Sequence, residues 1–290
     1  MGPWPSYLLT GVVTGAFSAM TAAGMQVVYG SSRILNFAQG EFVVLGMFIM
    51  WELRTVHGVN PWLALLIVVL IGLLAGVIFY FICIRPFDGR PSLQIALVTL
   101  AAGIAIQAYF ALQFGADPKV VQPFISSQPF TIGSMHVSPQ DLLVIGGALL
   151  SLAVLFVIFR FTWMGLAMRA TAENREGAEV AGISPRMVSL VSFAIGCAIS
   201  AFAGALIAPT LGVSFDAGTN ITLTAFVAAT IGGLSSTVGA VAGGFVLGLS
   251  SAIIASIWGA DYQDVWLLLA VVVLLYFRPH GVLGRKVAEE

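Results

Sequence analysis

Apolar residues along the chain fall into long runs separated by short polar stretches. Each of the longer runs approaches the roughly 20 residues that a helix needs to cross a bilayer. They lie near residues 7–30, 37–56, 61–84, 92–114, 141–159 and 187–211. The tail adds a short apolar piece from 223 to about 234, a glycine-rich piece to about 257 and a last piece ending at 277. This pattern predicts eight crossings if the short piece is re-entrant and nine if it spans.

Composition supports a membrane protein built from helices. Of the 290 residues, 59% are hydrophobic and only 9% are charged, whereas a soluble domain carries roughly 25% charged residues. The net charge of −1 argues against a nucleic-acid partner. Cys83 and Cys197 both lie in apolar runs, which argues against a disulfide framework or a metal site. We therefore expect one all-α polytopic transmembrane domain over residues 1–290.

The basic residues predict how the chain is oriented. If residues 160–186 are cytoplasmic and the crossings alternate, ten of the 12 Lys and Arg lie inside, and only Arg54 and Lys119 lie outside. This asymmetry is what the positive-inside rule expects. It favours an N-terminus outside, a C-terminus in the cytoplasm and an odd number of crossings. Because no basic segment precedes the first run, we expect a retained helix there rather than a signal peptide.

A polar stretch that begins at Tyr29, YGSSRILNFAQGEFVVLG, interrupts the apolar pattern. Polar groups in a bilayer need a protein partner, an aqueous cavity or the membrane surface. One interpretation is a helix start, with Asn36 as N-cap, Gln39 three residues on and Glu41 near the positive end of the helix dipole. The other is a broken helix that lines a substrate pathway, with Gln26 and Tyr29 on the preceding helix.

Small residues predict close helix packing and a second break. Glycines four residues apart let helix backbones approach closely in membranes. Such pairs are Gly11 and Gly15, Gly72 and Gly76, Gly239 and Gly243, and Gly244 and Gly248. Residues 232–236, GGLSS, instead favour an interrupted helix, which adds Ser235 and Ser236 to the candidate pathway. A break near each end of the chain is the pattern expected of inverted repeats around a midplane site.

The loop at residues 160–186 predicts a short helix on the cytoplasmic side. Arg169 precedes Glu173 by four residues and Arg175 precedes Glu179 by four, the spacing of i,i+4 ion pairs. The alternatives are a solvated connector and a docking helix. We favour docking onto a partner protein, because small alanine side chains allow close approach while the charges fix the register.

Turn-forming residues bound this helix and begin the next one. Gly182 is a natural C-terminal stop, and Ser184 followed by Pro185 is typical of an N-cap and a first helical position. On the other side of the membrane, residues 115–140 form a second long loop. It is either a small cap or docking surface, or an unstructured connector.

The sequence contains no constellation that predicts an enzyme. Lys119 follows Pro118 and Lys286 follows Arg285, so neither lysine completes a GxxxxGK[ST] phosphate loop. The H-E-x-x-H and G-x-S-x-G motifs are absent as well. Any energy for transport must therefore come from a partner.

Five segments, taken together, resemble the membrane-spanning permease subunits of bacterial ABC importers for branched-chain amino acids and related urea or amide solutes. In order they are GMQVVYGSSRILNFAQGEFVVLG, IRPFDGRPSLQIALVTLAAG, MGLAMRATAENREGAEVAGI, FVAATIGGLSSTVGAVAGGFVLGL and FRPHGVLGR. Their order, spacing and shared topology carry the resemblance, which covers nearly the whole chain.

The resemblance implies an importer complex in the bacterial inner membrane. Two permeases, often non-identical, pair with two cytoplasmic ATPases, and an extracytoplasmic binding protein delivers the solute. The ATPases bind ATP and Mg²⁺, and this chain would hold no cofactor. ATP binding would drive the permease pair to alternate the side on which it is open.

The resemblance also implies roles for individual residues. Residues 165–183 resemble the ATPase-docking loop of the family. The positions at or near that contact would be Arg169, Glu173, Ala178 and Gly182. The motif LNFAQG matches too, but Gln39 stands where a His is common, which favours plain hydrogen bonding over titration.

A stand-alone channel or secondary transporter for a small neutral solute is the alternative function. It would need no docking loop. An ion-coupled carrier, however, usually places charges within its spans, and these spans nearly lack them. A membrane-embedded enzyme is less favoured because no catalytic constellation is present.

Overall fold

The computed structural model describes residues 4–125, 130–132, 135–233 and 236–259, and the single positions 262, 265, 269 and 273. Within these ranges the chain forms ten α-helices and one short β-hairpin. The helices are α1 (Trp4–Ser32), α2 (Gln39–Trp51), α3 (Pro61–Phe79), α4 (Ser92–Phe114), α5 (Pro139–Phe161), α6 (Trp163–Glu173), α7 (Arg175–Val180), α8 (Pro185–Leu211), α9 (Ala217–Gly232) and α10 (Thr237–Trp258). The strands are β1 (Phe130–Ile132) and β2 (Met135–Val137). The predicted last span, ending at 277, and the C-terminus lie outside this description.

The prediction of an all-α polytopic membrane protein is confirmed. In the described part of the chain, α1, α3, α4, α5, α8 and α10 are long and apolar enough to cross a membrane. Two apolar helices are shorter: α9 has 16 residues, and α2 has 13 before it continues as a π-helical turn at Glu52–Val56. The predicted total of eight or nine crossings is therefore approximate.

Helices α1 and α8 form the centre of the bundle. Their most apolar windows are 72% buried, compared with 28% for α3, α4 and α5, which expose rows of leucine and other large apolar side chains. Apolar surface of that kind on a spanning helix is suited to lipid. The chain therefore buries its small and polar residues centrally and presents its bulky apolar ones outward.

Glycines bring the central helices together, as their spacing predicts. A Cβ on Gly248 of α10 would lie 2.2 Å from the Gly15 nitrogen of α1, and one on Gly244 would lie 2.4 Å from the nitrogen of Ala19. A Cβ on Gly76 of α3 would lie 2.6 Å from the Phe193 oxygen of α8. Real Cβ atoms do not approach this closely, so these contacts require glycine.

The long loop at residues 115–140 is a folded cap where it is described. Strands β1 and β2 pair antiparallel, and Lys119 forms a bridge with Val213 after α8. The Gln140 amide donates to the Leu206 oxygen at 2.7 Å, and its Oε1 accepts from the Phe124 nitrogen. These bonds fasten the loop to α8, which supports the small cap over the unstructured connector.

Candidate translocation and docking sites

The first polar break joins α1 to α2 through residues 33–38. Arg33 turns the chain with a φ of 56°, in the left-handed region that non-glycine residues rarely adopt. The prediction that Asn36 is the N-cap of α2 is wrong. The N-cap is Ala38, which makes no side-chain cap bond. Asn36 instead stabilises the preceding turn, where its Oδ1 accepts from the Ala38 nitrogen at 3.1 Å.

Gln39 ties the start of α2 to the middle of α8. Its Nε2 donates to the Gly196 oxygen at 3.2 Å and to Ser200 Oγ at 2.5 Å. Its Oε1 accepts from Asn36 Nδ2 at 3.0 Å, and Asn36 and Gln39 are both completely buried. The amide therefore uses its hydrogen-bonding groups within the chain and fixes α2 so that it begins inside the bundle.

Glu41 lies where the first turns of α2 and α9 meet. The Gly40 nitrogen donates to Thr222 Oγ1 of α9 at 2.8 Å. A Cβ on Gly218 would come within 2.2 Å of the Glu41 carboxyl group, so the carboxyl packs directly on that glycine. Glu41 is only 3% exposed, and among the described residues its Oε2 has no hydrogen-bond partner. Its carboxyl group therefore lies beside the N-terminal, positive ends of two helices.

The second predicted break, at residues 232–236, is present between α9 and α10. Gly233 has a φ of 96° and ends α9, while Ser236 is the N-cap of α10 and accepts from the Gly239 nitrogen at 3.1 Å. Ser235 lies outside the described residues. On α1, Gln26 accepts from Thr237 Oγ1 at 2.8 Å. Gln26 thus binds this second break rather than the first.

The structure does not bring all candidate pathway residues into one cluster. Gln39 contacts α8, Glu41 contacts α9 and Asn36 is bonded to Gln39, whereas Gln26 is bonded to α10. Tyr29 is half-buried, with the Arg33 guanidinium 5.9 Å from its ring centre. Both breaks therefore adjoin α1, but their polar residues bond to different helices.

Hydroxyl groups that sequence reasoning did not single out hold the first break in place. Thr99 of α4 accepts from the Phe37 nitrogen at 3.0 Å and also lies 3.3 Å from the Leu35 oxygen. Ser200 and Thr222 bind α2, as described above. An isolated Ser or Thr in an apolar helix commonly bonds to its own backbone, so the sequence offers no signal for these tertiary contacts.

The predicted docking helix is two helices, α6 and α7, separated at Asn174. Thr162 caps α6 and Asn174 caps α7, each accepting from a backbone nitrogen three residues on. Gly182 ends this segment with a φ of 83°, and Ser184 caps α8 with Pro185 at its first position. The predicted stop and restart are both confirmed.

The predicted i,i+4 ion pairs are wrong within the described residues. Arg175 donates instead to Asp88 Oδ1 at 3.0 Å, and Arg186 donates to Asp88 Oδ2 at 2.8 Å. Arg169 donates to the Gly165 oxygen. Partial burial raises the pKa of Asp88, but the hydrogen bonds from Arg186 and Arg175 outweigh it, so this pKa lies below its ordinary value.

We call α6 and α7 together the docking segment. One face of this segment packs on the helices of its own chain and the other face is exposed. Met168 is 1% exposed and Ala178 4%, and Met168 packs against Val188 of α8. Arg169, Glu173 and Gly182 are exposed. Of the four predicted contact residues, Ala178 therefore faces the bundle and the other three face outward.

Basic residues gather at the end of the bundle that carries this segment. The arginines at that end are Arg33, Arg85, Arg90, Arg160, Arg169, Arg175 and Arg186. At the other end, Arg54 donates to the Pro123 oxygen and Lys119 lies over the Trp51 ring. The described basic residues thus divide between the ends as the sequence predicts. Which end faces the cytoplasm stays a prediction.

The described residues contain no group of three or more His, Cys, Asp or Glu side chains placed to hold a metal ion. The candidate chemistry is therefore that of hydrogen bonds at the two breaks and of charges on the docking segment. At the two breaks these groups position helices. They form no arrangement of nucleophile, acid and base of the kind that catalysis uses.

Comparison with known proteins gives one consistent match. The model of the family described as "Branched-chain amino acid transport system / permease component" matches residues 7–277. The chain is 27% identical to the high-affinity branched-chain amino acid transport system permease protein LivH of Escherichia coli (strain K12) and 29% identical to BraD of Pseudomonas aeruginosa. In both cases the match covers 98% of this chain and 96% of the relative. It is 25% identical to LivM of Escherichia coli (strain K12), over 97% of this chain and 72% of LivM. No solved structure gives a significant match.

Proposed function

The chain belongs to the branched-chain amino acid transport permease family, and we propose that it is one of two permease subunits of an ABC importer. The complex moves branched-chain amino acids or similar small polar solutes across the bacterial inner membrane by ATP-driven alternating access. The observation that carries the proposal is the docking segment, α6 and α7, held on one end of the helical bundle with charged residues facing outward.

Contacts of the docking segment support its role in transmitting motion. Arg33, at the end of α1, donates to the Ala172 oxygen of α6 at 3.1 Å, and Asp88 joins α7 to the start of α8. Helix α8 in turn holds α2 through Gln39. A displacement of the segment by an ATPase would therefore reach the first break through direct contacts.

The partners follow from the relatives and the exposed surfaces. LivH and LivM both match this chain, which supports a pair with a second, homologous permease. Two cytoplasmic ATPases would bind ATP and Mg²⁺, and an extracytoplasmic protein would deliver the solute to the cap at residues 115–140. The docking segment then faces the cytoplasm, which puts the N-terminus outside, in agreement with the clustered arginines. We infer a cytoplasmic C-terminus from the last apolar run of the sequence, which ends at 277.

Charge reversal on the docking segment tests the proposal. We expect Glu173→Lys to lower recovery of the ATPase subunits when the complex is purified in detergent, and to lower uptake with it, because an exposed charge that fixes register becomes repulsive. The control is Glu52→Lys, which makes the same change on a partly exposed side chain beyond α2, where Glu52 lies 3.3 Å from His57 at the other end of the bundle.

The outcome separates the proposal from the alternative of a stand-alone carrier. Retention of the ATPases and of full uptake by Glu173→Lys would contradict docking through this segment. Solute flux into liposomes that contain this chain alone would favour a channel or secondary transporter. Loss of the ATPase subunits from the Glu173 variant but not from the Glu52 variant supports the proposal that the chain is an importer subunit.

A further inference from the structure

A groove runs along the bundle between α5 and α10 and is closed at one end by α6. Its volume is about 570 Å³, within the range of roughly 300–1,000 Å³ typical of pockets that hold a small organic molecule. Its lining comes from three elements and includes Phe156 and Arg160 of α5, Arg169 of α6, and Ser236 and Val238 at the start of α10.

The long walls of the groove are apolar and open outward. Phe156 is 61% exposed and Val238 is 72% exposed. The floor is formed by a cluster in which Leu155 packs against Ala23 and Val27 of α1. Because α5 and α10 are both long and apolar enough to cross a membrane, these walls suit a hydrocarbon chain better than water.

Two arginines give the end of the groove a positive charge. Arg160 lies in the last turn of α5 and Arg169 on α6, and within the described residues neither is paired with a carboxylate. The negative end of α5 offsets part of the Arg160 charge, but Arg169 lies on another helix. Guanidinium groups match phosphate oxygens in charge and in hydrogen-bond geometry. Both arginines lie at the end of the bundle where basic residues gather, which is the level of lipid head groups.

We propose that this groove binds an anionic phospholipid, with one acyl chain along α5 and α10 and its phosphate between Arg160 and Arg169. The lipid site itself does not depend on the proposed transport function. Its consequence for transport does, because the same groove joins Arg169 of the docking segment to Ser236 at the second break. A bound lipid would lie between the docking segment, which meets the ATPase, and the second break.

Lipid binding by the purified full-length chain tests the site. After delipidation, phosphatidylglycerol or phosphatidylcholine is added back in detergent, and the bound lipid is counted by native mass spectrometry. We expect phosphatidylglycerol to be preferred, and Arg160→Gln to weaken its binding about five-fold, the effect of losing about 1 kcal/mol from one arginine near a lipid head group. The matched control is Arg90→Gln, an exposed arginine at the same end of the bundle and outside the groove.

A photo-reactive phenylalanine analogue at position 156 identifies the occupant in the assembled complex. A cross-link to phosphatidylglycerol supports the proposal. A cross-link to a polypeptide would overturn it, because the groove would then be a subunit interface. Equal binding of the two lipids, or equal losses in the Arg160 and Arg90 variants, would overturn it as well. The binding measurements on the purified chain need no ATPase, so failure of the lipid site is distinguishable from failure of the proposed function.

Discussion

Replacing Gly204 with alanine tests whether α2 is held by close backbone contact with α8. A Cβ at Gly204 would lie 2.0 Å from the Val43 oxygen, whereas ordinary contact begins near 3.4 Å. The obstructing atom belongs to the backbone, so α2 itself must move. Overpacking of this kind costs about 1–3 kcal/mol, and we expect the upper end here. The better helix propensity of alanine returns about 1 kcal/mol, which leaves a net destabilisation of about 2 kcal/mol.

Gly146 on α5 supplies the matched control. A Cβ there would meet no atom within 4 Å, so Gly146→Ala gains the propensity term of about 1 kcal/mol without a clash. The two variants should therefore differ by about 3 kcal/mol in the free energy of unfolding, measured by titration with sodium dodecyl sulfate in mixed micelles. A Gly204→Ala protein as stable as the Gly146→Ala protein would refute the close contact between α2 and α8.

Two further predictions concern polar contacts. Gln39→Leu should lower the free energy of unfolding by about 2 kcal/mol, since it removes three hydrogen bonds at roughly 0.6 kcal/mol each in a membrane protein. Ser200→Ala should lower it by less in the same titration. Equal stability of Gln39→Leu and wild type would contradict this role of Gln39. Asp88 has a lowered pKa, so its ionised form stabilises the fold above the ordinary value near 4, and that contribution is lost as pH falls through the lower folded-state pKa. The difference in melting temperature between wild type and Asp88→Asn should therefore shrink on acidification below about pH 4; a difference that does not change with pH would exclude this role.

Local signals in the sequence predict where helices end better than they predict which distant residues the side chains contact. Gly182 and Ser184 act through bonds to residues one turn away, and their roles were predicted correctly. The partner of Arg175 could not be predicted in this way, because Asp88 lies 87 residues earlier and approaches only through the packing of α3 and α8. An ion pair at i,i+4 spacing stabilises a helix by only a few tenths of a kcal/mol. The bonds of two arginines to the shared Asp88 carboxylate outweigh that gain.

The first break illustrates the same limit at the candidate pathway. Its polar stretch was recognisable because Asn36, Gln39 and Glu41 stand out between apolar runs. The exact helix start was not, because Asn36 bonds to the backbone of the preceding turn. The residues that complete the site are single hydroxyls on distant helices, such as Thr99 and Ser200, and nothing in their local sequence distinguishes them from other serines and threonines of apolar helices.

Burial decides which candidate residues can meet a solute without rearrangement. Asn36 and Gln39 are completely buried; their amides are bonded to each other, and the Gln39 amide is also bonded to α8. A solute can contact them only if the start of α2 separates from α8, which breaks the two Gln39 bonds to Gly196 and Ser200, worth about 1 kcal/mol in total. A cost of about 1 kcal/mol from these bonds is small enough for the two helices to separate and rejoin in an equilibrium between two conformations. If the chain acts in alternating access as we propose, the first break is suited to be a part that opens and closes rather than a fixed lining, and a small push on the docking segment is enough to shift its equilibrium.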